Sequence, residues 1–162
     1  MLQTLTPASS EPVTLAEAKA HLRVIHDADD ALIGRQITAA RESVELLTGL
    51  ALAEADYRYT GTSRALPLWP ADVTAVEGLQ RDGTWLADDD ATFDVDRNLL
   101  AGATACQYRI EFSATPGAVP EALRSAILLR VQAEYEADPD AADRLRDAAD
   151  RLAWPYRVNL GV

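Results

Sequence analysis

The sequence predicts an α+β protein that is mainly helical: a bundle of three to four helices, with a small antiparallel β-sheet inserted between the second and third. Three observations carry that prediction. Stretches before Gly49 and after Gly117 show helix caps and apolar residues at three- and four-residue spacing. Residues 57–113 instead alternate in polarity and are broken by prolines and glycines. At 162 residues the chain suits one domain with one core. Residues 1–162 are therefore expected to form that domain, 57–113 its β-rich insertion and 154–162 a C-terminal arm.

The elements follow in order. Residues 1–13 carry Pro7, Ser9, Ser10 and Pro12 and read as irregular and extended. Thr14-Leu15-Ala16-Glu17 has the form of a capping box, opening a helix to about Leu22. Asp29 or Asp30 then caps a second helix, whose stripe Ile33, Ile37, Ala40, Val44 and Leu47 faces the core. Arg35, Arg41, Glu42 and Glu45 lie off that stripe, and Gly49 fits the left-handed position past its end. Tyr57–Thr60 reads as a strand. Leu66-Pro67-Leu68-Trp69-Pro70 cannot be helical. Val73–Gln80 and Trp85-Leu86 read as a hairpin around Asp82-Gly83. Thr92–Val95 and Gln107–Phe112 are further strands. Pro120 opens a third helix to about Ala137, because its missing N–H has no helical partner there. That helix is apolar on two sides through Leu123, Ile127, Leu128, Leu129 and Val131, so it needs cover twice. Leu123, Ile127 and Val131 are expected in the core, with Leu128 and Leu129 against the sheet or a neighbouring subunit. Asp138-Pro139-Asp140 breaks it. The last helix, about Ala141–Ala153, has only the thin stripe Leu145, Ala148, Ala149 and Leu152. The four-apart pairs Arg146–Asp150 and Asp147–Arg151 support it.

Composition narrows the function. Apolar residues make up 48% and charged residues 25%, ordinary for a globular chain. No run approaches the roughly 18 apolar residues of a membrane span. Met1–Pro12 has no basic segment followed by an apolar one, so no cleaved signal is expected. Net charge is −11, with Lys19 the only lysine. That balance argues against a surface that grips duplex DNA by neutralising phosphates.

Candidate chemistry is sparse. His21 and His26 are five apart, not the four-apart pair of a helical zinc site. Cys106 has no histidine nearby and is expected buried and inert at a strand start. Asp88, Asp89, Asp90, Asp94 and Asp96 form the most suggestive acidic cluster. A calcium loop, however, needs a distal glutamate where Leu99 stands, so a solvated loop is expected. Trp69, Trp85, Tyr57 and Tyr59 lack interleaved basic residues, and a sheet core fits them better than a base-stacking platform. Trp154, Pro155, Tyr156, Arg157 and Val158 form an apolar tail that either folds back on its own domain or docks on a partner.

Taken together, these blocks resemble the phage head–tail connector (adaptor) family. The resemblance rests on Glu11-Pro12-Val13-Thr14-Leu15-Ala16-Glu17-Ala18-Lys19-Ala20-His21-Leu22, on Asp30-Ala31-Leu32-Ile33 through Ala39-Ala40-Arg41 to Thr48-Gly49, on Gly117–Leu123 with Ala126-Ile127 and Tyr135-Glu136, and on Trp154–Val158. It implies a structural protein, not an enzyme, without cofactor or metal. It implies a ring, usually dodecameric, beneath the portal protein of a DNA-filled capsid. The ring extends the DNA channel and joins the portal to the next tail or stopper protein. DNA passes through without specific binding, and no membrane is involved. Such proteins occur in tailed phages, prophages and phage-derived gene-transfer particles, assembled in the bacterial cytoplasm. An isolated chain can be monomeric where the ring needs the portal as a template. On this reading Trp154, Pro155, Tyr156, Arg157 and Val158 would bind the portal, and Leu128 and Leu129 would lie at the ring interface. Two other readings stand beside it: an interaction adaptor with a different partner, and a small enzyme with an acidic site near Asp88–Asp96.

Overall fold

The computed structural model describes residues 1–80, 83–97, 99–102 and 105–158. The chain forms two compact units. One comprises Met1–Ser10, Gly49–Pro116 and Val158; the other comprises Glu11–Thr48 and Gly117–Arg157.

The first unit is built on a five-stranded antiparallel sheet. Its strands are β1 (Leu2–Thr6), β2 (Ala55–Gly61), β3 (Asp72–Leu79), β4 (Trp85–Ala87) and, after a separate two-stranded ribbon of β5 (Thr92–Asp94) and β6 (Leu99–Ala101), β7 (Tyr108–Ala114). The spatial order is β1-β2-β7-β3-β4. Central strand β7 alternates fully: Tyr108, Ile110, Phe112 and Ala114 are buried and the residues between them half-buried. Period-two alternation sends one set of side chains to a core and the other to a polar face. Tyr57 stacks on Phe112 in that core at 5.5 Å between ring centres, with Leu66, Leu68 and Leu100 buried in the same cluster.

The second unit holds α1 (Leu15–Leu22), α2 (Asp30–Thr48), α3 (Glu121–Tyr135), α4 (Pro139–Ala153) and a closing 3-10 turn, Trp154–Tyr156. Helix α3 packs on α2 and α4, and α1 on α2 and α3. The Thr14 capping box forms as expected, with the Thr14 Oγ1 accepting from the Glu17 N–H and the Glu17 carboxylate accepting from the Thr14 N–H. Gly49 takes its left-handed conformation at φ 74°. Leu123, Ile127 and Val131 are fully buried, as are Ile33 and Val44, and Ile37 is nearly so.

The α+β class holds, but the sheet is not simply an insertion between α2 and α3. Residues 2–6, expected to be irregular and extended, form edge strand β1 and pair with β2. The sheet therefore draws on chain from before α1 as well as from after α2. Strand β6 was likewise not expected. Arg41 and Glu45, placed off the α2 stripe by their charge, are buried, because they pair with each other and with Glu11. Leu47 of the expected stripe is only half-buried. Helix α3 ends at Tyr135. Helix α4 starts at Pro139, since Asp138 caps it by accepting from the Asp140 N–H, so the expected breaker is also the start signal. Cys106 is exposed, not buried, because β7 begins two residues after it. Gly83 sits at the β3–β4 turn with φ 86°, while its expected partner Asp82 lies outside the described residues.

Candidate functional site

The closing turn begins where α4 ends. Pro155 sits inside the 3-10 turn, and the Arg157 N–H bonds the Trp154 carbonyl at 3.2 Å. Trp154 is 60% exposed, which is unusual for the largest apolar side chain. The Arg157 guanidinium lies over its indole ring at 5.1 Å. A cation over an aromatic face both attracts it and restricts its motion. Tyr156 and Val158 are half-buried, while Pro155 and Arg157 are exposed. The last four residues of the expected arm, 159–162, lie outside the described residues.

Leu128 and Leu129 are half-buried on α3. Neither belongs to the fully buried core that Leu123, Ile127 and Val131 enter from the same helix. Helix α4 is held to α3 by Ala149, fully buried, and by ion pairs. Arg130 pairs with Asp150, and Arg146 with Glu134 at 3.0 Å; within α4, Arg146 also pairs with Asp143 at 2.9 Å. These replace the expected Arg146–Asp150 pair: Asp150 pairs with Arg130 of α3, and Arg146 with Glu134 of α3 and Asp143 of its own helix. The Glu134 carboxylate hydrogen-bonds Arg146 and, with Asp143, raises its pKa. The expected α4 stripe is thinner still: Leu152 is 38% exposed, and Ala142 and Ala153 are buried in its place.

The other sequence candidates have the following surroundings. His21 Nε2 lies 2.9 Å from Gln132 Oε1. Lys19 bridges Asp27 at 2.6 Å and Asp30 at 2.7 Å. The hydrogen bonds from Lys19 hold the Asp27 carboxyl below its ordinary range and raise the Lys19 pKa. The Tyr135 hydroxyl donates to Asp29, which raises the Tyr135 pKa. In the acidic loop, Asp94 Oδ1 accepts from the Arg97 N–H. An open groove of about 570 Å³ runs past Asp72, Glu77, Asp88, Asp89 and Phe93. Among the described residues, no group of three or more His, Cys, Asp or Glu side chains is placed to hold a metal.

The aromatic expectation holds in part. Tyr57 is core, but Trp69 is 38% exposed and Trp85 half-buried. Trp85 lies under the Arg109 guanidinium at 4.3 Å, on the polar sheet face where Arg109 also pairs with Glu77 and Arg58 with Glu111. Sequence spacing missed this because Arg109 reaches Trp85 across strands, not along the chain. It also missed the exposed leucines of α2, Leu32 and Leu46. Their signal was a second stripe on the helix, away from the core one.

The ordered helical pattern around the Thr14 cap has a counterpart among known families. Residues 12–73 match the phage gp6-like head–tail connector protein family. The gp6-like match spans α1, α2 and β2 and reaches Val73 of β3. No curated protein sequence matches the chain. Solved structures extend the fold likeness to almost the whole chain. A chain from the "Neck of empty GTA particle computed with C6 symmetry" is 24% identical with a TM-score of 0.70, covering 98% of this chain and 95% of that one. A chain from the "Virion of native gene transfer agent (GTA) particle" is 23% identical at 0.65, with the same coverage. One from the "Neck of native GTA particle computed with C12 symmetry" is 24% identical at 0.59, covering 90% and 94%. These likenesses establish a shared fold that includes α3, α4 and the closing turn, which lie outside the family match. Among the described residues, no helix is long and apolar enough to cross a membrane.

Proposed function

We propose that this chain is a structural head–tail connector of a tailed phage or gene-transfer particle. The carrying observation is the fold match over nearly the full length of a neck subunit, joined to the gp6-like match over residues 12–73. On this reading copies of the chain form a closed ring beneath the portal, and DNA passes through its centre. The six- and twelve-fold symmetry named for the similar necks supports a ring of twelve. A cyclic ring needs two different complementary faces on each subunit. Half-buried Leu128 and Leu129 contribute to one of them. The net charge of −11 suits a channel that must release its cargo.

Trp154, Pro155, Tyr156, Arg157 and Val158 dock on the portal. The exposed, arginine-stacked indole supports that role, since tryptophan and arginine are the residues that most often anchor interfaces. Trp154→Ala should leave unfolding of the isolated chain unchanged and lower its capture by portal at least about tenfold. Unchanged capture would move the docking surface elsewhere. The chain works as a scaffold, not an enzyme, and alanine at Asp88, Asp89 and Asp90 should leave particle assembly intact.

Deleting the gene tests the function directly. DNA-filled heads without attached tails are expected, rescued by the wild-type gene. Complete infectious or transducing particles without the protein would overturn the proposal.

A further inference from the structure

Helix α2 carries a second stripe opposite the one it buries. Leu32, Arg35, Ala39, Glu42 and Leu46 recur at three- and four-residue steps and are all exposed. At 3.6 residues per turn they centre about half a turn from Ile33, Ile37, Ala40 and Val44. Leu32 is 40% exposed and Leu46 77%. Leu32, Ala39 and Leu46 are seven apart, with Arg35 and Glu42 between them, so the stripe has the spacing of a helix–helix seam.

The order of charges selects the occupant. Rotating a second copy by a two-fold axis at Ala39 sets Leu32 against the second copy's Leu46. It also brings Arg35 within reach of the second copy's Glu42, and each contact occurs twice. A parallel pairing would instead set Arg35 beside Arg35 and Glu42 beside Glu42, which repel. Ala39 at the crossing lets the backbones approach closely. Glu42 is 57% exposed, and its pairing with Arg41 Nη2 at 3.6 Å is longer than the contacts Arg41 makes to Glu11 and Glu45.

We propose that α2 pairs antiparallel with α2 of a second copy of this chain about a two-fold axis at Ala39. Such a pairing is isologous and closes at two, so it cannot propagate a ring. It describes the free protein and does not rest on the connector reading. One seam on a helix of this length buries less than the roughly 1,200 Å² of a stable interface, so the dimer is weak and concentration-dependent.

Sedimentation of the full chain at low salt over a concentration series tests it. A monomer–dimer equilibrium is expected. Arg35→Glu or Glu42→Arg alone should weaken the dimer about tenfold or more, and the two together should restore it. Both side chains are exposed, so folding is retained. With Cys106→Ser as background, Ala39→Cys should form a disulfide-linked dimer on oxidation. A chain that stays monomeric to about 1 mM overturns the proposal. So does an oligomer that the single charge reversals leave unchanged, or one that the double exchange fails to restore.

Discussion

Arg41 is charged and 4% exposed, and it ties the segment ahead of α1 to α2. Its Nε bonds Glu11 at 2.8 Å and its Nη1 bonds Glu45, itself buried, at 2.5 Å. Removing one member of such a pair leaves an uncompensated charge out of water. Arg41→Met should therefore cost about 3–5 kcal/mol in urea unfolding, whereas Arg41→Met with Glu45→Met should recover much of it. A single substitution that costs nothing would show the pair to be solvated. Periodicity missed this pair, because a charged residue reads as surface unless the partner that neutralises it, here Glu11 thirty residues earlier, is known. The Thr14–Glu17 cap, whose partners lie three apart, was legible for the opposite reason. The Thr14 backbone N–H, followed by the Thr14 hydroxyl and Arg124, lowers the Glu17 pKa below its ordinary 4.5. The unfolded chain takes up that proton first as pH falls. The contribution is thus complete above 4.5 and is lost as pH drops through the lower folded value. Urea midpoints followed down through that range should fall less steeply for Glu17→Gln than for wild type; identical slopes would remove Glu17 from the acid transition.

At the scale of elements, β1 is the informative one. Met1 and Thr60 exchange both backbone hydrogen bonds, so Gln3 opposite Arg58 is the next bonded pair. Leu2 and Thr4 direct their backbone groups away from β2. Gln3→Pro should then cost about 1–3 kcal/mol through a broken ladder bond, while Thr4→Pro at the open edge should cost far less. Equal losses in thermal unfolding would contradict this register. Sequence pattern passed over β1 because Leu-Gln-Thr-Leu-Thr alternates weakly and four of its five residues are exposed; an edge strand is specified by its neighbour more than by its own polarity. Helix α4 makes the complementary case. Its buried side is alanine, so it holds to α3 by close approach and by Arg130 and Arg146. Ala149→Leu should overpack that contact and cost about 1–3 kcal/mol, read as a lowered midpoint. Full stability would mean that α4 moves outward without penalty. The caps at Thr14 and Gly49 and the α3 core residues were readable because each rests on local geometry or on a single period. Cys106 and Trp85 were not, since strand limits and cross-strand neighbours decide them.

For the whole molecule, the proposed connector role rests on the order of several weak motifs. None of the blocks at Glu11–Leu22, Asp30–Gly49, Gly117–Leu123 and Trp154–Val158 identifies a family alone. Their order along one chain carries the resemblance, and residues 12–73 match the gp6-like connector family while the fold matches that of the neck subunits. The assembly surfaces were less legible. An interface is defined by the shape of its partner, so a half-buried Leu128 or an exposed Trp154 marks a surface without naming what meets it. The most direct test is single-particle imaging of the neck of particles that carry this chain. The connector account predicts a closed ring of the chain between portal and tail, with both compact units fitted in each subunit's density. A neck built without this protein, or the protein located elsewhere on the particle, would contradict it.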